Sequence, residues 1–165
     1  MVETRSADEG VLATLSRARA LIEARDFDAA ISQYFRLLDY ELDGPLRGEV
    51  LTNLGAALCL SVRGRRDAEA LAQLTQARDL LTAAIACRPR REAPAAWATT
   101  RANLTVVHAA RYEVSGNSDD LLSAHLALDG TEQAVSEVGD TALHDWVSAI
   151  RDQLLELSER RAVRR

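Results

Sequence analysis

The three histidines are the side chains in this sequence best suited to act as a general base or as metal ligands. His108 and His125 fall on two consecutive predicted helices joined by a short turn, whereas His144 falls at the start of a later helix. No HExxH, CxxC, GxGxxG, GxSxG or phosphate-loop pattern accompanies them. The sequence therefore predicts no enzyme and no cofactor. A metal site on His108 and His125 is the lesser alternative to core or surface positions for these histidines.

Two cysteines are the other side chains with reactive potential. Cys59 and Cys87 lie 28 residues apart, each within an apolar stretch with helical periodicity. This spacing matches neither a pair of zinc ligands nor a redox pair. We therefore expect two buried free thiols.

Arginine supplies all 20 basic side chains of the chain, which stand against 25 acidic residues. A bias in genome composition is one explanation, and recognition of carboxylate or phosphate groups by guanidinium is the functional alternative. The net charge of -5 argues against binding of nucleic acid or an anionic membrane through the whole surface. Local basic patches are compatible with this charge.

Three clusters of arginine could form such patches. They are Arg63, Arg65 and Arg66; Arg88, Arg90 and Arg91; and Arg160, Arg161, Arg164 and Arg165. The first two flank one predicted helix and so lie about 33 Å apart. Alternate helices of a hairpin array run parallel, so the first and third clusters are expected at one edge. This predicted basic edge (Arg63, Arg65, Arg66, Arg160 and Arg161) either contacts an acidic partner or only satisfies helix C-termini, which favour cations.

The composition predicts a single all-α domain. A chain of 165 residues can bury a core without metal or disulfide support, and 47 % of its residues are hydrophobic. Alanine and leucine, both strong helix formers, dominate this content, and three prolines and eight glycines leave long stretches without a breaker. Neither an apolar N-terminal segment nor a stretch of roughly 20 apolar residues is present, so we expect a cytoplasmic protein.

Apolar residues recur at three- and four-residue steps in seven stretches, each bounded by capping or breaking residues. They predict seven helices, which begin near Val11, Phe27, Pro45, Asp67, Pro94, Ser118 and Asp140. Asp129-Gly130 could bend or break the sixth of them. We expect residues 1–10 to be a flexible N terminus, residues 11–157 to form the helical domain, and residues 158–165 to form an Arg-rich tail.

The repeating unit is a pair of helices. In the second pair, Asn53-Leu54-Gly55 and Leu58 precede Ala77, Leu81, Ala84 and Pro89, which follow one another at steps of 4, 3 and 5 residues. The first pair has small and large residues at equivalent offsets, and the third has Trp97-Ala98, Asn103-Leu104 and Thr105. Over roughly residues 11–157 this pattern resembles the tetratricopeptide repeat, in a bacterial type with lengthened repeats.

The resemblance implies a right-handed superhelical array of about three helical hairpins and a C-terminal capping helix. In this family the opening helices line a concave groove that holds a peptide or a helix of a partner. Carried over residue by residue, the groove comprises Arg19, Glu23, Glu49, Thr52, Asn53, Thr99, Asn103 and Val106. Asn53 and Asn103 either hold the backbone of a ligand or are the habitual residues of the repeat. Leu15 and Thr99 replace the basic residues with which one family subset grips a C-terminal carboxylate.

The function that the resemblance implies is a scaffold or adaptor that binds another protein or peptide, with no membrane partner. An assembly or regulatory factor that contacts nucleic acid or an acidic partner through the basic edge is the alternative. The last predicted helix carries Trp146 and a strong apolar stripe. It either caps the array or packs against a second copy, so a homodimer is one expected state.

Overall fold

The computed structural model describes the backbone of residues 2–163 and the side chains of residues 9–163. Within this range the chain forms helices only, which confirms the all-α prediction. They are α1 (Val2–Glu23), α2 (Phe27–Leu37), α3 (Gly44–Ser61), α4 (Ala68–Cys87), α5 (Pro94–Ser115), α6 (Ser118–Leu128), α7 (Thr131–Val138) and α8 (Thr141–Val163). None of these helices combines the length and the apolar composition that crossing a lipid bilayer requires.

The described helices number eight because the sixth predicted helix is divided at Asp129-Gly130, where the sequence suggested a break. Gly130 adopts a positive φ of 72°, which glycine reaches without strain. Arg101 of α5 donates hydrogen bonds to the carbonyls of Leu126 (2.6 Å) and Asp129 (3.2 Å). These bonds satisfy carbonyls that the end of α6 leaves free, and they hold α6 and α7 against α5.

Short acidic or amide side chains begin most of the helices. Asp26, Asp43 and Asp67 each accept a hydrogen bond from a backbone N–H in the first turn of α2, α3 and α4. Asp140 does the same for Leu143 in α8, at 3.0 Å. The sixth helix begins at Ser118, as predicted, and Asn117 is its N-cap, whose side chain accepts a hydrogen bond from the Asp119 N–H.

Both ends of the chain are more helical than the apolar pattern predicted. The first helix begins at Val2, so residues 2–10 belong to α1 and not to an irregular N-terminal segment. The last helix continues to Val163, so residues 158–163 of the predicted tail extend α8. Arg164 and Arg165 lie outside the described residues.

Consecutive helices pack as hairpins, α1 with α2, α3 with α4, and α5 with α6, and each hairpin also packs on the next. Two large apolar cores result, together with a small third cluster of Val62, Ala70 and Leu74. The first joins α1 to α5 with one residue of α6, and the second joins α5 to α8. Since α5 contributes to both cores, it is the central helix of the domain, and α8 packs against it on the side away from α1.

Glycine and alanine allow the closest helix approaches. A Cβ on Gly55 of α3 would lie 2.7 Å from the Cγ of Leu81 and 3.2 Å from the carbonyl of Ala77, both in α4. A Cβ on Gly48 would lie 2.9 Å from side-chain atoms of both Cys87 and Arg88. Both glycines are buried, so at these two positions the backbone of α3 packs directly against side chains of α4 and of its C-cap residue Arg88.

Replacement of Gly55 by alanine should destabilise the domain. The new methyl group would overlap Leu81 and the backbone of α4, and overpacking of this kind costs about 1–3 kcal/mol. Chemical denaturation followed by circular dichroism measures the loss. Gly10→Ala is the matched control, because a Cβ there meets nothing within 4 Å, and alanine in a helix is favoured over glycine by about 0.5–1 kcal/mol. Equal stability of the two variants would contradict the close approach.

Candidate functional site

A groove of about 660 Å³ has α5 as its floor and α3 and α8 as its walls. We call it the α5 groove. Its floor is lined by Asn103, Val106, Ala109, Ala110 and Val114. All five side chains are partly exposed to solvent, so the floor is open to a ligand.

The walls of the α5 groove are largely apolar. Ala56 and Leu60 line it from α3, and Trp146, Ile150 and Leu157 line it from α8. Leu60 and Trp146 leave 37 % and 38 % of their surface exposed. An apolar trough with large exposed side chains on both walls is typical of a binding surface.

One end of the α5 groove is basic. Arg63, Arg65 and Arg66 follow the end of α3, and Arg160 lies near the end of α8. Two glutamates, Glu113 of α5 and Glu156 of α8, line the groove as well. The C-terminal ends of α3, α5 and α8 therefore meet at this edge, as expected for helices that run in the same direction.

Three of these four arginines already have partners within the chain. Arg65 pairs with Asp67 at 3.0 Å and with Glu69 at 2.8 Å, and both contacts are solvent-exposed. Arg66 donates to the Glu113 carbonyl at 2.6 Å, which satisfies the C-terminal end of α5. Arg160 makes an exposed contact of 3.3 Å with Glu156. Exposed ion pairs are worth only about 0–1 kcal/mol, so such arginines can change partners readily.

Arg63 differs from its neighbours because its exposed side chain has no hydrogen-bond or ion-pair partner within the described part of the chain. It lies close enough to Cys59 to oppose the effect of burial on that thiol. Burial nevertheless dominates and raises the pKa of Cys59 to about 11. Cys59 is therefore a protonated, unreactive thiol in the groove wall, and both cysteines are free.

The structure brings only part of the predicted groove together. Asn103 and Val106 line the α5 groove, on the same face of α5 as Ala110. Asn103 donates to the carbonyl of Thr99 at 3.1 Å, which leaves its amide oxygen available. Thr99 itself bonds back to Ala95 within α5 at 2.9 Å and does not line the groove.

The predicted residues on α1 and the first half of α3 form a separate group. Arg19 pairs with Glu49. Asn53 lies beside the buried Tyr34 of α2. The Arg19 and Asn53 side chains both act to lower the pKa of the Tyr34 hydroxyl. Burial has the larger effect and raises the pKa of Tyr34. Asn53 is therefore not among the residues that line the α5 groove.

Glu23 and Thr52 are the remaining residues of the predicted groove. Glu23 is the last residue of α1 and is exposed, outside the residues that line the α5 groove. Thr52 is only 2 % exposed, so its assignment to an exposed groove is wrong. It lies 2.9 Å from Thr100 of α5 and accepts a hydrogen bond from Arg88 at 2.8 Å. The Thr52 hydroxyl therefore binds the partly buried Arg88 guanidinium and is not available at the surface.

The predicted basic edge is brought together except at its end. Arg63, Arg65, Arg66 and Arg160 line one hollow, whereas Arg161, although nearby in sequence, does not line it. Two members of the second arginine cluster have a structural role, because Arg88 is partly buried against α3 and Arg90 lies 5.4 Å from the centre of the Trp97 ring. Arg101 stacks on the same ring at 5.1 Å.

A buried polar network was missed by sequence reasoning. Arg111 of α5 donates to Asp120 of α6 at 2.7 Å, and it also bonds the hydroxyl of Thr75 in α4. The Ser115 hydroxyl donates to the other oxygen of Asp120 at 3.4 Å, and the His108 Nδ1 lies 3.7 Å from the first. Three helices are thereby joined. The available signal was His108 itself, a titratable residue on the apolar face of its helix.

The two histidines of the metal alternative face different partners. His108 faces Asp120, and its Nδ1 is buried without a hydrogen bond, whereas the His125 Nε2 lies 2.9 Å from Ser158 of α8. Within the described residues, no group of three or more His, Cys, Asp or Glu side chains is arranged to hold a metal ion. The described geometry therefore gives the pairing of His108 with His125 no support.

Comparison of the chain with models of protein families, with curated proteins and with solved structures finds no match. The tetratricopeptide resemblance consequently stays a prediction from the residue pattern. What the candidate site can do must be judged from its own geometry, which is an open apolar trough with a basic end.

Replacement of Asp120 by asparagine should destabilise the domain by about 3 kcal/mol, because it leaves the Arg111 guanidinium without a compensating charge in a buried position. The side chain of Asp120 is only 8 % exposed and that of Arg111 only 14 % exposed. Denaturant unfolding measures the change. Asp119→Asn is the matched control, since Asp119 is exposed in the same helical turn and its loss should cost below about 1 kcal/mol. Similar losses in both variants would refute the network.

The stability of the protein should fall as the pH is lowered through the range in which histidine titrates. Burial lowers the pKa of His108 below its usual value, although Asp120 opposes this effect and Arg111 and Arg78 add to it. The unfolded chain therefore binds a proton near pH 6.5 that the folded chain still excludes. Free energies of unfolding measured from about pH 7.5 to pH 5 should decline less steeply for His108→Gln than for the wild type. His144→Gln, an exposed histidine, should leave the slope unchanged.

Proposed function

We propose that this chain is a non-catalytic scaffold or adaptor that holds a segment of a partner protein in the α5 groove, in the cytoplasm. The observation that carries the proposal is the groove itself. It combines an open floor, large apolar side chains on both walls and convergent polar groups at its ends. Such a surface favours binding of an apolar segment over binding of a purely polar ligand.

The close packing of the second hairpin supports this assignment. Gly55, where the tetratricopeptide pattern has a small residue, lies against Leu81 and Ala77, two of the residues that carry the resemblance in the closing helix. If the array is superhelical, α1, α3 and α5 are its opening helices and α8 takes the place of the next one. A groove along α3, α5 and α8 is then the concave surface that this family uses.

Contact with nucleic acid through the basic edge is the second candidate. The observation in its favour is that four arginines line one end of the groove. Three of them, however, already bind carboxylates or a helix end within the chain, so few guanidinium groups remain for phosphates. Binding to phosphates would weaken steeply with salt, whereas binding in the apolar trough would weaken only modestly.

A second copy of the chain is a further candidate partner, since Trp146 exposes 38 % of its surface at the groove wall. In that case α8 would contribute to a dimer interface as well as to the groove. Light scattering coupled to size-exclusion chromatography distinguishes the two situations. A monomer at high concentration would leave the groove free for a different protein.

The groove is tested by affinity capture from cells that naturally produce the protein. Ala109→Arg places a long cationic side chain on the groove floor, while Ala86→Arg places the same side chain on the exposed surface of α4. Proteins bound by the wild type and by Ala86→Arg should be depleted at least about tenfold with Ala109→Arg, because the trough is filled. Equal thermal stability of the variants is the control for folding. Recovery of the same partners with all three proteins would place the binding surface elsewhere.

A further inference from the structure

The α5 groove is chemically different at its two ends. At one end Asn103 and Trp146 are its polar and aromatic members, and at the other end are Arg63, Arg65, Arg66 and Arg160. The stretch between them is apolar and follows α5. A ligand that fills this groove must therefore be apolar along its length and must match a cationic end.

The charge of the groove is opposite to that of the chain. Four arginines and two glutamates line it, so the lining is positive, although the whole protein carries a net charge of -5. Arg65 is balanced by Asp67 and Glu69, Arg66 binds the Glu113 carbonyl and Arg160 contacts Glu156, which leaves Arg63 as the one of these four arginines with no partner among the described residues. Complementary potentials guide association and suppress wrong partners, so an acidic group at this end is favoured.

The length of the groove suits a short helix. The floor residues run from Asn103 to Val114, and at 1.5 Å per residue this stretch of α5 measures about 17 Å. A ligand helix of about three turns covers the same distance. Its apolar face would present side chains at i, i+3 or i+4, and i+7 to the trough.

We propose that the α5 groove selects an amphipathic helix of about three turns whose apolar face fills the trough and whose one end carries Asp or Glu side chains that pair with Arg63. This inference rests on the proposed function and adds the chemistry of the partner to it. Arg160 assists, because its exposed contact with Glu156 is weak and can be exchanged for a ligand carboxylate. Arg63 is then a residue that determines specificity, and the apolar floor supplies most of the affinity.

The experiment is a selection from a displayed library of random peptides of about 12 residues on the immobilised full-length protein. Peptides are kept if they bind the wild type and Ala86→Arg but not Ala109→Arg, which restricts them to the groove. Their sequences and their affinities for Arg63→Glu are then determined. Arg36→Glu is the matched control for total charge, since Arg36 is exposed on α2, which contributes no residue to the groove.

The selected peptides should combine apolar residues at helical spacing with acidic residues clustered at one end. Their affinity should fall about five- to tenfold with Arg63→Glu, should fall less with Arg63→Ala, and should be unchanged with Arg36→Glu. A second selection on Arg63→Glu should yield peptides with neutral or basic ends. Thermal unfolding of each variant verifies that the fold is retained.

Several results would overturn the inference while leaving the proposed function intact. These are groove-dependent peptides without acidic enrichment, or acidic peptides that bind Arg63→Glu as tightly as the wild type. Displacement of the peptides by a single-stranded DNA oligonucleotide with steep salt dependence would assign the basic end to phosphates instead. If no peptide distinguishes Ala109→Arg from the wild type, the proposed function itself fails.

Discussion

The close approach of neighbouring helices is the constraint on which the rest of this structure depends. Many of the fully buried residues are alanine, and at Gly55 the backbone of α3 is in contact with Leu81 of α4. Small residues let one helix accept large side chains of the next between its own turns. These contacts tolerate little change, because one added methyl group on Gly55 would overlap Leu81 and the backbone of α4. The α3–α4 hairpin therefore provides a firm wall on one side of the α5 groove.

The groove exists because α8 does not repeat this close packing with α3. Both helices pack on α5, but they do so from different sides, and the residues of α5 between them remain partly exposed. Leu60 on one side and Trp146 on the other are left without a full complement of neighbours. The domain leaves this large hydrophobic surface unburied. The surface is therefore available to bind a partner.

Arginine side chains also connect the helices, through hydrogen bonds and not through close backbone contact. Arg88 reaches the buried hydroxyls of Thr52 and Thr100, Arg101 binds the end of α6, and Arg111 pairs with Asp120. A guanidinium offers five donors on a long apolar stem, so one side chain can satisfy groups on two or three helices. The abundance of arginine thus has a structural component in addition to any role at the surface. Among the arginines that line the α5 groove, Arg63 is the one without a hydrogen-bond or ion-pair partner within the described residues.

What the sequence determined by itself is the set of helices and their small-residue contacts. Apolar periodicity, the caps at Asp26 and Asp67, and the break at Asp129-Gly130 are local signals, since they depend on residues within a few positions. The predicted first and last helices were too short, because the outer turns of α1 and α8 are polar and show no apolar periodicity. Only tertiary structure decided which faces are exposed. Thr52 and Asn103 were both predicted to line one groove, yet Thr52 is buried against Thr100 of α5 and Asn103 lines the α5 groove, because burial depends on neighbours distant in the chain.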